Sequence, residues 1–417
     1  MSPVSRKRKP KKTRKSRPPL RSGRPAGWPK PVAAAWWPER IGDVLAGAGG
    51  LLDAGGPREL EQATAELIGG VLHRALAEET MGFALQAWLG ALVDDAGERA
   101  SLENWYLLHG VAAIAPEALA VSARHGIERL GAHGLTGPEW LAWMSGVAPT
   151  GEVHVLRDAY GSRFGVVMAC GYPDAAPSGA GDHVYLLDVD ACSCVVDVVD
   201  AAVHEDLAAA SEAWRAAVGI PAASAMPGPV DAALLADLLP RTGRAEHGVI
   251  GGESRRRMDN YYRMLRRGDD LAAALAAAGR PLPAETRWMH EARHGVPIDT
   301  YVGDFLAWYA ARGPVPADGE AVEALAEAWL DGTVEETRLS CSPHRIRELQ
   351  SRIGIEWQGD PLTEPVAALL PEWTRWCVYR TGLDSELATR SVAAAQRDLG
   401  EWKRIRDEDE PGAPVPE

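Results

Sequence analysis

Val153-His154-Val155-Leu156, Phe164-Gly165-Val166-Val167-Met168, Val184-Tyr185-Leu186-Leu187-Asp188-Val189 and Val195-Val196-Asp197-Val198-Val199 are four runs rich in β-branched residues. All four fall between residues 152 and 202, separated by short turns or by the Gly/Pro/Ser-rich loop 173–182. No helical period lies between them. A parallel pair needs a crossover of about a dozen residues or more, so these strands are expected to form an antiparallel meander. This is the one sheet signal in the sequence. A small sheet needs a helix layer on at least one face, and the flanking segments are placed to supply it.

Both flanks read as helical. On the N-terminal side, Leu60, Ala63, Leu67, Val71 and Leu72 recur at nearly the spacing of one helix face over 59–78. A similar pattern over 102–130 is expected to break at Pro116. On the C-terminal side the expected helices are 204–218, 229–239, 253–279 with a break near Gly268, 284–294, 298–312, 320–331, 343–353, 364–380 and 385–405. Ser342-Pro343 sets a capping residue before a first-turn proline. Gly382 suits a helix C-terminus, and Asp384 or Ser385 can open the next helix. The expected fold class is α+β and predominantly α-helical, with a central meander. Its organisation reads as a disordered basic tail (1–30), a helical region (31–148), the meander with a following helix (149–220), a second helical region (221–405) and an acidic disordered tail (406–417).

Charge is divided sharply along the chain. The first 30 residues carry twelve Lys/Arg and no acid. Removing those twelve from the 44 basic residues leaves 32 against 58 acidic ones, a body near −26. The densest stretch holds Arg6, Lys7, Arg8, Lys9, Lys11, Lys12, Arg14, Lys15 and Arg17, the candidate nucleic-acid-binding residues. The tail lacks the apolar stretch of a secretory signal, and Pro18, Pro19, Pro25, Pro29 and Pro31 follow it. No run of 18 apolar residues is present, so no transmembrane helix is expected. Five scattered cysteines fit free thiols in a reducing cytoplasm, the expected location. With 15 Trp and only three Phe, the cores must be built from Trp, Leu, Val and Ala.

Among chemical motifs the sharpest is His290-Glu291-Ala292-Arg293-His294. Histidines at i and i+4 share a helix face and can hold Zn²⁺, with Glu291 as general base toward a metal-bound water. These five residues resemble the motif of gluzincin-type metalloproteases, in which a downstream carboxylate completes the ligand set; Glu320, Glu323 and Glu327 lie at a plausible distance. Against this, Arg293 sets a cation between the two ligands, and Gly295 and Pro297 end the helix at His294. The segment reads first as a solvated helix face, with Arg287, His290, Glu291 and His294 in one polar stripe.

Asp188 and Asp190 end the third strand with Asp158, Asp197 and Asp200 nearby, an arrangement that can hold Mg²⁺. The plain alternative makes Asp190-Ala191-Cys192-Ser193 a hairpin turn. Cys192-Ser193-Cys194 has no matching second pair and reads as buried small side chains. The segment 376–392 has the outline of a helix-turn-helix or of a plain αα-hairpin. The six arginines of 255–267, interleaved with Tyr261 and Tyr262, form either a basic surface for nucleic acid or a helix flank paired with acids.

No phosphate-binding loop, dinucleotide fingerprint or nucleophile-elbow motif is present, which speaks against a nucleotide-fuelled enzyme or an α/β-hydrolase. The leading expectation is a binding or regulatory protein tethered to nucleic acid or another polyanion by its tail, without a cofactor and without a membrane partner. A zinc-dependent hydrolase built on His290, Glu291 and His294 is the enzymatic alternative, and Zn²⁺ is expected only in that case. A structural or protein-interaction role is the third.

Overall fold

In the computed structural model the described residues are 37–78, 85–172, 182–192, 196–242, 254–312, 317–331 and 333–397. Both expected tails, Cys194 and the start of the fourth predicted strand lie outside them. Five helices lead the fold: α1 (Trp37–Gly47), α2 (Pro57–Glu78), α3 (Leu85–Glu98), α4 (Leu102–Ile114) and α5 (Glu117–Gly131). The helical pattern of 102–130 does break at Pro116, which stands before the first residue of α5. Four strands follow: β1 (Ala148–Arg157), β2 (Arg163–Gly171), β3 (His183–Asp190) and β4 (Asp197–His204). They pair antiparallel in the order β1-β2-β3-β4, the expected meander.

Nine helices complete the described chain: α6 (Leu207–Val218), α7 (Ala232–Leu238), α8 (Arg255–Ala277), α9 (Arg287–His294), α10 (Asp299–Ala310), α11 (Gly319–Leu330), α12 (Pro343–Glu356), α13 (Thr363–Thr381) and α14 (Ser385–Ala395). Ser342 caps α12 by accepting a hydrogen bond from the Arg345 amide, with Pro343 in the first turn. Gly382 ends α13 in the left-handed region, and Asp384 caps α14. Each cap satisfies backbone groups that the helix end leaves without partners.

Every residue of β3 is buried, so both faces of the sheet are covered. Alternation sorts the side chains. Tyr185, Leu187 and Val189 join Phe164, Val166 and Met168 in the main core with the N-terminal helices and α8. Val184 and Leu186 turn the other way, with Leu156 and Val167, onto Ala210 and Trp214 of α6. A third core lies wholly in α10–α14 and is aromatic: Phe305, Trp329, Trp373 and Trp376. The Phe305 and Trp373 ring centroids are 5.1 Å apart and those of Trp373 and Trp376 4.8 Å apart. Tryptophan serves all three cores: Trp88 lies in the main core and Trp214 in the smaller one, while Trp329, Trp373 and Trp376 cluster here. Core packing runs across the segment boundaries at 148 and 220, since α8 shares one core with α2, α4 and the sheet.

Two details depart from expectation. Strand β4 runs on through Ala201 and Ala202, weak strand formers held by their pairing to Leu187 and Leu186. Helix α8 does not break at Gly268. A Cβ there would lie 1.9 Å from the Pro240 carbonyl oxygen, so the glycine serves a close approach, not a bend. Likewise Gly69 lets α2 pass against the Asp259 backbone of α8.

Helix α8 is basic yet central. Arg263 and Arg267 are almost completely buried and converge on buried Glu61 of α2. Arg267 donates to Glu61 at 2.9 Å, and Arg263 lies 3.8 Å from it. The Arg263 guanidinium also stacks 5.4 Å from the Tyr185 ring centroid on β3. Burial acts to raise the Glu61 carboxyl, but the two guanidiniums outweigh it and hold it below the usual range.

Two predictions follow from this packing. Glu61→Ala removes the buried carboxylate that two buried guanidiniums share, leaving, among the described residues, Arg267 only Asp270 as a charged partner and Arg263 only the neutral Asn260 and Gln62. It should destabilise the fold by about 3–5 kcal/mol in urea unfolding; a loss under about 1 kcal/mol would contradict a central role for the cluster. His109 packs edge-on against Trp105 with ring centroids 4.8 Å apart, and burial pushes its pKa down to about 4. A depressed pKa contributes stability that is complete above the ordinary value near 6.5 and is lost as pH falls toward about 4. The melting temperature of the wild type should therefore fall more between about pH 7, just above the ordinary imidazole value, and about pH 4.5, roughly two units below it, than that of His109→Gln. Equal falls would show that His109 takes up its proton as readily in the fold as in the unfolded chain.

Candidate functional site at the seam of sheet and C-terminal helices

The β1–β2 turn begins at Asp158, whose Oδ1 accepts the amides of Ser162 (2.8 Å) and Arg163 (3.0 Å). This fixes the first residue of β2. Arg163 and Asp190 are directly opposed across β2 and β3, with Asp188 opposite Gly165. Arg163, Asp188 and Asp190 thus share the face covered by α6. Arg163 grips Asp188 with two hydrogen bonds, Nε to Oδ1 at 2.7 Å and Nη2 to Oδ2 at 2.8 Å. The Trp214 indole donates to Asp188 Oδ1 at 3.0 Å while its ring lies over Gly165, where a Cβ would come within 3.0 Å. A bidentate, mostly buried pair of this kind is geometrically specific.

Asp190 then faces the C-terminal helices. Its Oδ1 accepts the Cys192 amide at 2.7 Å, and its Oδ2 lies 3.2 Å from His344 Nδ1 in the first turn of α12. Cys192 Sγ is 3.1 Å from the hydroxyl of Ser342, the residue that caps the same helix. The other ring nitrogen, His344 Nε2, lies 3.8 Å from Glu348 one turn on. One ligand-capable atom from each of Asp190, Cys192 and His344 falls within 4.8 Å of the other two. It is the one such group of three His, Cys, Asp or Glu among the described residues.

The electrostatics follow from the contacts. Hydrogen bonds to Asp190 and Cys192 push the His344 pKa up to about 10. Burial works to raise Asp190, but the hydrogen bond and charge of His344, the Cys192 contact and Arg163 overcome it and hold Asp190 at about 2. Burial and the neighbouring Asp190 charge both push the Cys192 thiol upward. As it stands the cluster is an imidazolium–carboxylate pair beside a protonated thiol, without the exposed thiolate of a reactive cysteine.

The other sequence candidates are distributed differently. The five aspartates do not converge on one point: Asp197 pairs with Arg257 and Asp200 with Arg256, while Asp158, Asp188 and Asp190 have the partners given above. His290 and His294 do lie on one face of α9, ring centroids 4.5 Å apart, and both are exposed. Arg287 of the same helix turns to buried Asp237 (2.7 Å) and Glu336 (2.7 Å), which fastens α9 to its neighbours. The side chain of Glu291 lies outside the described residues.

The segment 376–392 is the end of α13, a Gly382 turn and the start of α14. On α14, Arg390 is paired with Glu386. A groove of about 490 Å³ opens beside this hairpin, lined in part by Trp308, Arg312, Arg375 and the 68% exposed Tyr379. Arg312 stacks on Trp308 at 4.5 Å from its centroid, and Arg375 pairs with Glu372.

Sequence reasoning singled out Asp188 and Asp190 and placed the Ser342 cap. It missed Arg163, Trp214 and His344 as their partners. The arginine opposite an aspartate on a neighbouring strand was a usable signal once register was known. The pairing of Cys192 with Ser342 spans 150 residues and left no local trace.

Asp188→Ala should remove about 3 kcal/mol or more in urea unfolding, because Arg163 and the Trp214 indole lose their buried acceptor together. An unchanged midpoint would show that solvent replaces Asp188 without cost. No family model matches the chain, and neither curated proteins nor solved structures give a significant match, so its functional reading rests on its own charge and geometry.

Proposed function

We propose that this protein is a binding protein that attaches to nucleic acid through its basic N-terminal tail. The observation that carries this reading is how the body disposes of its own cations. The one strongly basic stretch of the body is α8, and each of its six arginines has an acidic partner. Arg255 pairs with Asp259, Arg256 with Asp200, Arg257 with Asp197, Arg263 and Arg267 with Glu61, and Arg266 with Glu117 and Asp270. A guanidinium held by a carboxylate is a poor phosphate ligand, since binding phosphate must first break the pair. The body beyond residue 30 is also near −26, so phosphates repel it. Attraction to a polyanion then falls to the tail, whose twelve cations have no acid within the first 30 residues. Binding of this kind is strong at low salt and indifferent to sequence. The acidic body would stand off the phosphate backbone, free to meet a second partner. No described helix is long and apolar enough to cross a membrane.

The test is a salt titration by fluorescence anisotropy with duplex DNA and with single-stranded RNA. If six to ten tail cations meet phosphates, affinity should fall by about 10³–10⁵ between roughly 50 and 200 mM salt. A full-length variant with Arg6, Lys7, Arg8, Lys9, Lys11, Lys12, Arg14, Lys15 and Arg17 changed to Gln should lose that binding. Undiminished binding by this variant, or none by the wild type at the lowest salt, rejects the reading. In the second case a structural or protein-interaction role takes its place.

A further inference from the structure

We propose that Asp190, Cys192 and His344 bind one divalent transition-metal ion of the zinc type, at the seam between the sheet and the C-terminal helices. The site is separate from the His290–His294 pair and does not depend on the tail.

The geometry comes first. Ligand atoms around a tetrahedral Zn²⁺ lie roughly 3.3–3.6 Å apart, given metal–ligand bonds of about 2.0–2.3 Å. Asp190 Oδ2 and His344 Nδ1 are already 3.2 Å apart, and the widest separation in the group is within 4.8 Å. Side-chain rotation of about an ångström closes the set. Two of the ligands are held by backbone: Asp190 and Cys192 are two residues apart at the end of β3, and the Cys192 amide orients the carboxylate. The third comes from the capped first turn of α12, whose position Ser342 fixes.

Around the three ligands stand groups suited to supporting them. A metal-bound histidine usually directs its other ring N–H to a carboxylate. With Nδ1 toward the metal, Nε2 faces Glu348 at 3.8 Å. A thiolate bound to metal usually accepts a hydrogen bond, and the Ser342 hydroxyl is 3.1 Å from Cys192 Sγ. The Ser342 oxygen already accepts from the Arg345 amide, which leaves its own proton to donate to sulfur.

Charge and softness narrow the ion. Asp188 already neutralises Arg163 through two short hydrogen bonds, against a single 3.4 Å contact from Arg163 to Asp190. The ligands therefore bring one carboxylate and one thiolate, whose two negative charges balance a dication. Binding releases one proton from the thiol and one from the imidazolium, and the metal takes both lone pairs. A thiolate and an imidazole favour Zn²⁺, Co²⁺ or Ni²⁺ over Mg²⁺ or Ca²⁺. Cys192 and Asp190 are buried, but the His344 side chain is 47% exposed, which gives the ion a way in and leaves a fourth position for water. Three protein ligands and one open position is the arrangement of catalytic rather than purely structural zinc sites.

The test titrates Zn²⁺, and separately Co²⁺, into full-length protein stripped with chelator. One equivalent should bind, and Co²⁺ should give the near-ultraviolet charge-transfer absorption of a cobalt–thiolate bond. His344→Gln, at an exposed side chain, should weaken binding at least about tenfold, the scale at which even supporting residues act. Cys192→Ser should remove the charge-transfer band, while His290→Gln/His294→Gln should leave both stoichiometry and band unchanged. If Cys192→Ser does not fold, the wild-type band together with the His344→Gln titration decides. Absence of stoichiometric binding, a Co²⁺ complex without a thiolate band, or binding lost only in the His290/His294 variant overturns the proposal.

Discussion

The fold is organised around one buried charge cluster. Glu61 of α2 sits between Arg263 and Arg267 of α8, and all three side chains are nearly inaccessible. Taking such groups out of water is costly, and only close mutual pairing offsets the cost. The constraint is therefore directional as well as energetic. Helices α2 and α8 must cross where Gly69 admits the Asp259 backbone, and α8 must pass Pro240 at Gly268. Arg263 must also reach the Tyr185 ring on β3. The sheet, the N-terminal helices and α8 are thereby locked in one relative arrangement, which apolar packing alone would leave looser.

The same sheet carries a second polar arrangement on its opposite face, and this one looks outward. Arg163, Asp188 and Trp214 close the end of the sheet, and Asp190 passes the line of contacts on to His344, Cys192 and Ser342. Further polar contacts join the same two parts of the chain: the Tyr160 hydroxyl donates to the Leu387 carbonyl, and Arg157 to the Glu336 carbonyl. Seams of this kind between packed units are where ligands are most often held, since groups from distant parts of the chain converge there. The two polar clusters differ in kind. The Glu61 cluster is closed and fully paired, whereas the Asp190 cluster keeps one partly exposed member, His344.

Local order was legible where it depends on near neighbours. Close-spaced runs rich in β-branched residues, with no helix between them, marked the meander, Pro116 marked the break between α4 and α5, and Ser342-Pro343, Gly382 and Asp384 marked helix ends. Gly268 misled because a glycine within a helical pattern reads as weakness; the Pro240 carbonyl that requires it comes from elsewhere in the chain. For the arginines of α8 the sequence offered a basic surface or a flank paired with acids, and the structure shows the pairing; the acids stand on α2, β4 and α5 as well as on α8 itself. What no local pattern showed is that Arg263 and Arg267 are buried.

What the sequence determined by itself is the order of helices and strands, the antiparallel sense of the sheet, the stock of tryptophan for the cores and the separation of a cationic tail from an anionic body. Each depends on composition or on spacings of a few residues, which backbone geometry reads directly. Only the tertiary structure decided which charges are spent inside the fold and which side chains meet at its seam. Asp190 and Cys192 are neighbours in sequence, but His344 and Ser342 reach them from a helix and its cap, whose place is set by packing in the C-terminal aromatic core. Contacts of that kind follow from burial and pairing across the whole chain, and no local pattern encodes them.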